Sequence, residues 1–381
     1  MPRRSILSTL ERDSFFTLPE SRDELIRLYT FNETDLSIIK QHRGSANRLG
    51  FAIQLCYMRY PGVMLGANDT PHPQILSFVA EQLKISPETW NDYGKRENTK
   101  WEHIAELKEI FGFKPFTMQH YRLHFQNIEN LARSTDKAIL LATELVTNLR
   151  HQNILLPSPN VIERICAQAL TQANRHIFLA LTESLTEEHH QHLDDLLQIK
   201  TNSKITWLAW LRQSPAKANS VHMNAHIERL KIFQTLDLPP GIERQIHQNR
   251  LLKIAREGGQ MTPADLAKFE PQRRYATLVA LVIEGMATVT DEIIDLHDRI
   301  MGKLFAAAKN KHQQQFQSSG KAINDKVRLY GLIGKALLDA KQNGSDPFAA
   351  IETVISWDAF AASITEAEKL AQPEDFDFLP R

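Results

Sequence analysis

The chain is 381 residues long, 42% hydrophobic and 24% charged, with basic and acidic residues in equal number and a formal net charge of zero. That length leaves room for two or three domains, and the composition is that of an ordinary folded protein. Zero net charge argues against a partner held by bulk electrostatics alone. Two cysteines and no uninterrupted apolar run of membrane-spanning length exclude a disulfide framework and a transmembrane helix, so a reducing cytoplasmic setting is expected.

Helical periodicity dominates from the start of the chain, and alternating β-branched runs are almost absent. Ser21-Arg22-Asp23-Glu24 reads as a capping box, and a second short helix follows Thr34. The stretch from Arg43 to Gly62 then predicts one helix with Ser45 as N-cap and Pro61-Gly62 as a hard stop. Leu49, Ala52, Ile53 and Cys56 fall on one apolar face, and Phe51, Leu55 and Met58 on another. A helix apolar on two sides is a core helix, so Arg48 and Arg59 are expected to pair inside the protein. Three helices of this kind could form a helix-turn-helix unit.

Further along, Ser86-Pro87 opens a helix, and Thr99 to Glu102 reads as the cap of another that ends at Gly112. After Pro115, Met118, Tyr121, Phe125, Ile128 and Ala132 form an apolar stripe, while Gln119, Arg122, Gln126, Asn130 and Arg133 form a second one without a carboxylate. Arginine forks onto guanine O6 and N7, and glutamine or asparagine onto adenine N6 and N7, so this stripe suits a major-groove helix. A solvated amphipathic face is the alternative reading.

A helix from Asp136 to Arg150 precedes Leu156-Pro157-Ser158-Pro159, a predicted boundary. His189 and His192 sit three residues apart near Asp194 and Asp195, and a metal site can be drawn there, although no partner motif of the HExxH or CxxC type supports it. Lys200 to Arg256 carries ten Lys or Arg against Glu228, Asp237 and Glu243, a local excess of seven. Thr262-Pro263 opens a third section, in which Pro271 to Gly285, Thr290 to His312 and Lys321 to Lys341 predict three long helices packed as a bundle. Lys303 to Lys341 is again basic, and the chain from Asp346 to Arg381 is acidic.

The run N-R-L-G-F-A-x-Q-L-C-x-x-R-x-P-G, from Asn47 to Gly62, resembles the signature of Tn3-family transposases. Tyr93, Arg96, Thr99, His103 and Gly112 are similar to that family's Y-x-x-R-x-x-T-x-x-x-H…G pattern, with Lys100 and Trp101 departing from its arginine-rich form. Asn249 to Gly258, Arg273 to Leu278, Thr290 to Asp298 and Lys303 to Phe305 also resemble family segments in family order. The resemblance implies a protein that binds transposon terminal inverted repeats as double-stranded DNA. It also implies that the family's two-aspartate, one-glutamate catalytic core and its Mg²⁺ ions belong to a part not represented here. No cofactor is therefore expected in this chain.

The resulting expectation is an all-α, multi-domain protein with helix-turn-helix-like DNA-binding units followed by a long-helix bundle. Its sections would be 1–155 and 156–258 for DNA binding, 259–345 as a helical linker, and 346–381 as an acidic tail. DNA contacts are expected from Arg43 and Asn47; from Arg96, Lys100 and His103; from the Gln119 to Arg133 stripe; and from Arg212, Lys217, Arg250, Lys253, Arg256, Arg273 and Arg274. Arg48, Leu49, Gly50, Phe51, Gln54, Arg59, Pro61 and Gly62 are expected to be structural. A homodimer, a nucleoid-associated location and no membrane complete this reading. Its competitors are a helical scaffold without specific DNA binding and a hydrolase centred on His189 and His192.

Overall fold

A computed structural model describes residues 5–66 and 69–371, apart from the side chains of residues 97, 312 and 315. The end of the acidic tail, including Phe376 to Arg381, lies outside the described residues. Among the described residues every regular element is helical, and the only extended pairings are isolated bridges at Lys114–Ile154 and Ile199–Thr206. The chain divides into two compact units, one of residues 1–213 with 230–288 and the other of 214–229 with 289–381.

The first unit is built around one helix. Helices α1 (Thr9–Ser14), α2 (Arg22–Tyr29) and α3 (Glu33–Gln41) lead into α4 (Ser45–Arg59), in which ten consecutive residues from Leu49 to Met58 are buried. Burial on all sides is what two apolar faces require, and α2, α3, α5 (Pro73–Leu83) and α6 (Glu97–Phe111) supply the neighbours. The start of α4 differs from expectation. Gly44, at φ 84°, is the N-cap and makes no side-chain cap, while Ser45 is already helical. Only glycine takes that backbone conformation without strain. Similarly, Thr99 lies inside the first turn of α6, whose N-cap is Arg96.

The structural signature residues explain themselves by contact. Gln54 is fully buried and bonds the backbone of Leu65 in both directions, accepting from its N–H at 3.3 Å and donating to its carbonyl at 3.1 Å. Gly50 is packed so closely that a Cβ there would stand 2.2 Å from the Tyr93 ring. Arg48 is half-buried and donates to the carbonyl of His42 at 2.9 Å. Pro61 and Gly62 end α4 and are clasped from afar: Arg150 donates to the Pro61 carbonyl, and the Leu156 N–H to that of Gly62.

A second core joins α7 (Met118–Ala132), α8 (Ala138–His151) and α9 (Pro159–Ala180). The stretch Pro157 to Pro159 thus lies within the first unit, because Leu155 and Leu156 are buried and hydrogen-bonded to Lys114 and Gly62. Short helices α10 (Glu187–Asp195) and α11 (Trp207–Leu211) follow, then α12 (Ser220–Thr235), α13 (Gln248–Gly259) and α14 (Pro263–Ala267).

The expected three-helix bundle after Pro271 is corrected by the structure, which has one continuous helix, α15 (Pro271–Asn343), of 73 residues. The glycines that look like stops in sequence do not break it, since a helical glycine costs only about 1 kcal/mol relative to alanine. Gly285 has a packing reason to be there: a Cβ would meet the Phe233 ring at 2.6 Å. Within the second unit, α16 (Pro347–Glu352) and α17 (Trp357–Leu370) fold back, with the Tyr330 hydroxyl donating to the Ser363 carbonyl at 3.0 Å. Every described side chain of α15 from Lys303 to Ser319 is exposed. Among the described residues no helix is long and apolar enough to cross a membrane.

Candidate nucleic-acid interface

The α7 stripe emerges as a surface. Thr117 caps the helix by accepting from the His120 N–H, and Ile128, Ala132 and His124 turn inward. That orientation leaves Gln119, Arg122, Gln126, Asn130 and Arg133 exposed along the opposite side. The one acid at its flank, Glu129, is held by Arg133 at 3.1 Å and by His176 at 3.4 Å. Arg133 is therefore partly engaged within the protein, and the exposed polar surface is centred on Gln119, Arg122, Gln126 and Asn130.

At the start of α4, Arg43 is exposed, whereas the Asn47 amide donates to the Arg43 carbonyl at 3.0 Å. Of the α6 group, Arg96 is exposed and Lys100 lies 5.7 Å over the Tyr93 ring. His103 is a correction to the expected DNA contacts. It is buried, 3.1 Å from the Tyr93 hydroxyl through Nδ1, and packed against His42 with ring centroids 4.6 Å apart. Burial, with the neighbouring His42 second, pushes its pKa down to about 4 and keeps it neutral near pH 7. Tyr93 and His103, ten residues apart in the resembling motif, are thus a packing pair.

Three arginines of the basic sections are also turned inward. Arg250 is 4% exposed, bonds Asn174 and lies 4.0 Å from Asp136. Arg212 donates to the carbonyls of Gly258 and Met261, both at 2.9 Å, at the C-terminal end of α13, where a cation is favoured. Arg274 pairs with Asp194 at 3.2 Å. These three, expected among the DNA contacts, hold helices together. The sequence could not separate them from surface cations, because periodicity gives a residue's face but not what covers it. Lys217, Lys253, Arg256 and Arg273 are exposed, with Lys253 3.4 Å from both Asp136 and Glu257, and Arg273 over the Phe269 ring at 4.0 Å.

His189, one of the two drawn as metal ligands, uses both ring nitrogens locally: Nδ1 accepts from the Thr186 N–H at 3.0 Å, and Nε2 lies 2.8 Å from the Asp237 carbonyl. No group of three or more His, Cys, Asp or Glu among the described residues is placed to hold a metal ion.

Sequence reasoning missed a second polar stripe, on α9. Arg164, Gln168, Thr171, Arg175 and His176 are exposed there, with Gln172 half-buried between them. Its signal was present as spacings of three and four without an acid, but the apolar residues of α9 drew attention to its core face.

The chain is thus an all-helical protein with an exposed, acid-free polar stripe on α7, and comparison with known sequences gives its relatives. Along its whole length the chain matches transposases of the Tn3 family. It is 70% identical, along its whole length, to the transposase of transposon Tn3926 from Escherichia coli, and 68% identical to that of Tn21 from the same species. The Tn501 transposase of Pseudomonas aeruginosa is 58% identical, again along the whole chain. The chain spans 38–39% of the length of these relatives. Residues 6–169 also match a family described as a domain of unknown function, DUF4158.

Proposed function

We propose that this chain binds the terminal inverted repeats of a Tn3-like transposon sequence-specifically and serves as the end-recognising part of the transposase. The observation that carries this reading is the α7 surface, where Gln119, Arg122, Gln126 and Asn130 stand exposed over a buried apolar face. Arg43, Arg96, Lys217, Arg256 and Arg273, all exposed, would supply phosphate contacts that fix register without reading sequence. A mobility-shift titration with a Tn21-type inverted-repeat duplex against a scrambled duplex tests it. Preference for the repeat by a hundredfold or more supports the proposal, and equal affinity at all salt concentrations overturns it.

A scaffold role for the second unit is favoured by a separate observation. Ile294, Phe305, Phe316, Val327 and Leu338 recur on α15 every eleven residues and are 56–71% exposed. An eleven-residue apolar repeat keeps a seam on one side of a helix and suits pairing with a like helix. We propose that this stripe supports a homodimer, which sedimentation of the intact chain and of Phe305→Glu/Phe316→Glu would test.

A further inference from the structure

The α9 stripe lines a trough. One cavity of about 820 Å³ is lined by α9, α13 and the start of α15; another of about 830 Å³ is lined by the Ser5 to Arg12 segment, α7 and α9. They share Thr171, Gln172 and Arg175 as a common wall, so the two form one recess along α9. Arg164 and Arg175 are eleven residues apart, about 16 Å along the helix.

Most of the carboxylates in the trough are already engaged. Glu163 accepts from Ser5 Oγ and the Ile6 N–H and pairs with Arg12 at 2.9 Å. Asp136 and Glu257 each lie 3.4 Å from Lys253. Glu270 is exposed on the α15 side. Arg164 sits 5.8 Å over the Tyr121 ring, and Arg175 has no carboxylate within ion-pair distance among the described residues. Two arginines therefore face the recess with their charge uncancelled.

The relation of α9 to α7 decides what fits there. Tyr121 meets Gln168 and Arg133 meets His176, so the two helices run side by side in the same direction. Packed helices lie about 8–10 Å apart and each is about 10–12 Å wide, whereas a major groove is about 12 Å wide. Only one of the pair can enter a groove. Arg164, Gln168 and Arg175 of α9 line the cavities, whereas Gln119, Arg122 and Gln126 of α7 line neither, so with α7 in the groove the base edges are out of reach of α9. A sugar-phosphate strand bordering that groove is not.

We propose that the α9 trough seats one sugar-phosphate strand of DNA, with Arg164 and Arg175 as its two phosphate anchors and α7 in the adjoining groove. The placement rests on the DNA-binding reading above, but its test is separable from that reading.

The test compares Arg164→Ala, Arg175→Ala and the unsubstituted chain on inverted-repeat and scrambled duplexes from 50 to 200 mM salt, with melting temperature as a control for folding. Both side chains are exposed, so the variants should melt like the parent. Each should weaken both duplexes to a similar degree and make the slope of log affinity against log salt less negative by about 0.9. Unchanged affinity and slope in both variants overturns the trough, and so does loss confined to the repeat, which would make α9 a base reader. If the parent shows no preference for the repeat, the end-recognition reading falls, while the salt slopes on scrambled DNA still decide the trough. A parent that binds neither duplex overturns both.

Discussion

Arg59, the last residue of α4, grips the buried Asp35 of α3 with both terminal guanidinium nitrogens, at 2.8 and 2.7 Å. Asp35 also accepts from the Asn32 N–H at 3.1 Å, so one carboxylate ties the start of α3 to the end of the central helix. Arg59→Ala should destabilise the first unit by about 3 kcal/mol, because it strands a buried charge. Arg59→Lys should recover only part of that, since lysine cannot make the paired contact. Urea unfolding of the three proteins checks the order.

Gly50 carries the opposite sign to a helical glycine in general. On an open helix Gly→Ala gains about 1 kcal/mol. Here the added methyl would meet the Tyr93 ring at 2.2 Å, and both sides of that contact are buried. Gly50→Ala should cost about 1–3 kcal/mol through overpacking, and Tyr93→Leu in the same chain should return some of it. Denaturant midpoints of the single and double variants measure the coupling.

The division between legible and illegible features follows from what periodicity carries. The two apolar faces of α4 were readable, and with them its buried, organising role, because a side chain's face follows from 100° per residue. The exposed α7 stripe was readable for the same reason. The inward turn of Arg212, Arg250 and Arg274 was not, since each depends on a partner distant in sequence: Gly258 and Met261, Asn174, and Asp194. The continuity of α15 was hidden by glycines that serve packing, as Gly285 does against Phe233.

Arg250 and Arg256 stand six residues apart on α13 and should respond differently to loss. Arg250→Ala should lower the melting temperature, because the side chain is 4% exposed and its removal takes from the Asn174 side-chain carbonyl oxygen the donor it accepts from. Arg256→Ala, at an exposed position, should leave melting unchanged and, if the residue touches phosphate, reduce the salt slope by about one. Calorimetry and titration of the two variants separate a structural from a DNA-contacting arginine.

Three histidines of the first unit are held neutral by burial. His42, His103 and His124 all have pKa values lowered by burial, His103 to about 4. In the unfolded chain such groups titrate near 6.5. Between those values the unfolded state binds protons that the folded state does not, so stability is full above about pH 6.5 and is lost as the pH falls toward 4. Melting temperature should therefore drop progressively from pH 7 to pH 5. In His103→Gln the drop should be shallower, despite a lower starting value from the disturbed Tyr93 contact.

The final prediction concerns the two helices that carry the most informative residues. Arg122 is exposed on α7 and stands among Gln119, Gln126 and Asn130, whereas Arg48 is half-buried on α4 and donates to the His42 carbonyl. Arg122→Ala should keep the melting temperature, cost about 1–3 kcal/mol on the inverted repeat, and narrow the gap to scrambled DNA, as loss of a bidentate base contact does. Arg48→Ala should lower the melting temperature first, because the His42 carbonyl loses its donor and His42 is packed 4.1 Å from the Phe51 ring at the centre of the core. Melting temperature and both affinities, measured on the two variants together, decide the assignment. Normal melting with lost specificity in Arg48→Ala, and neither effect in Arg122→Ala, would exchange the roles of α4 and α7.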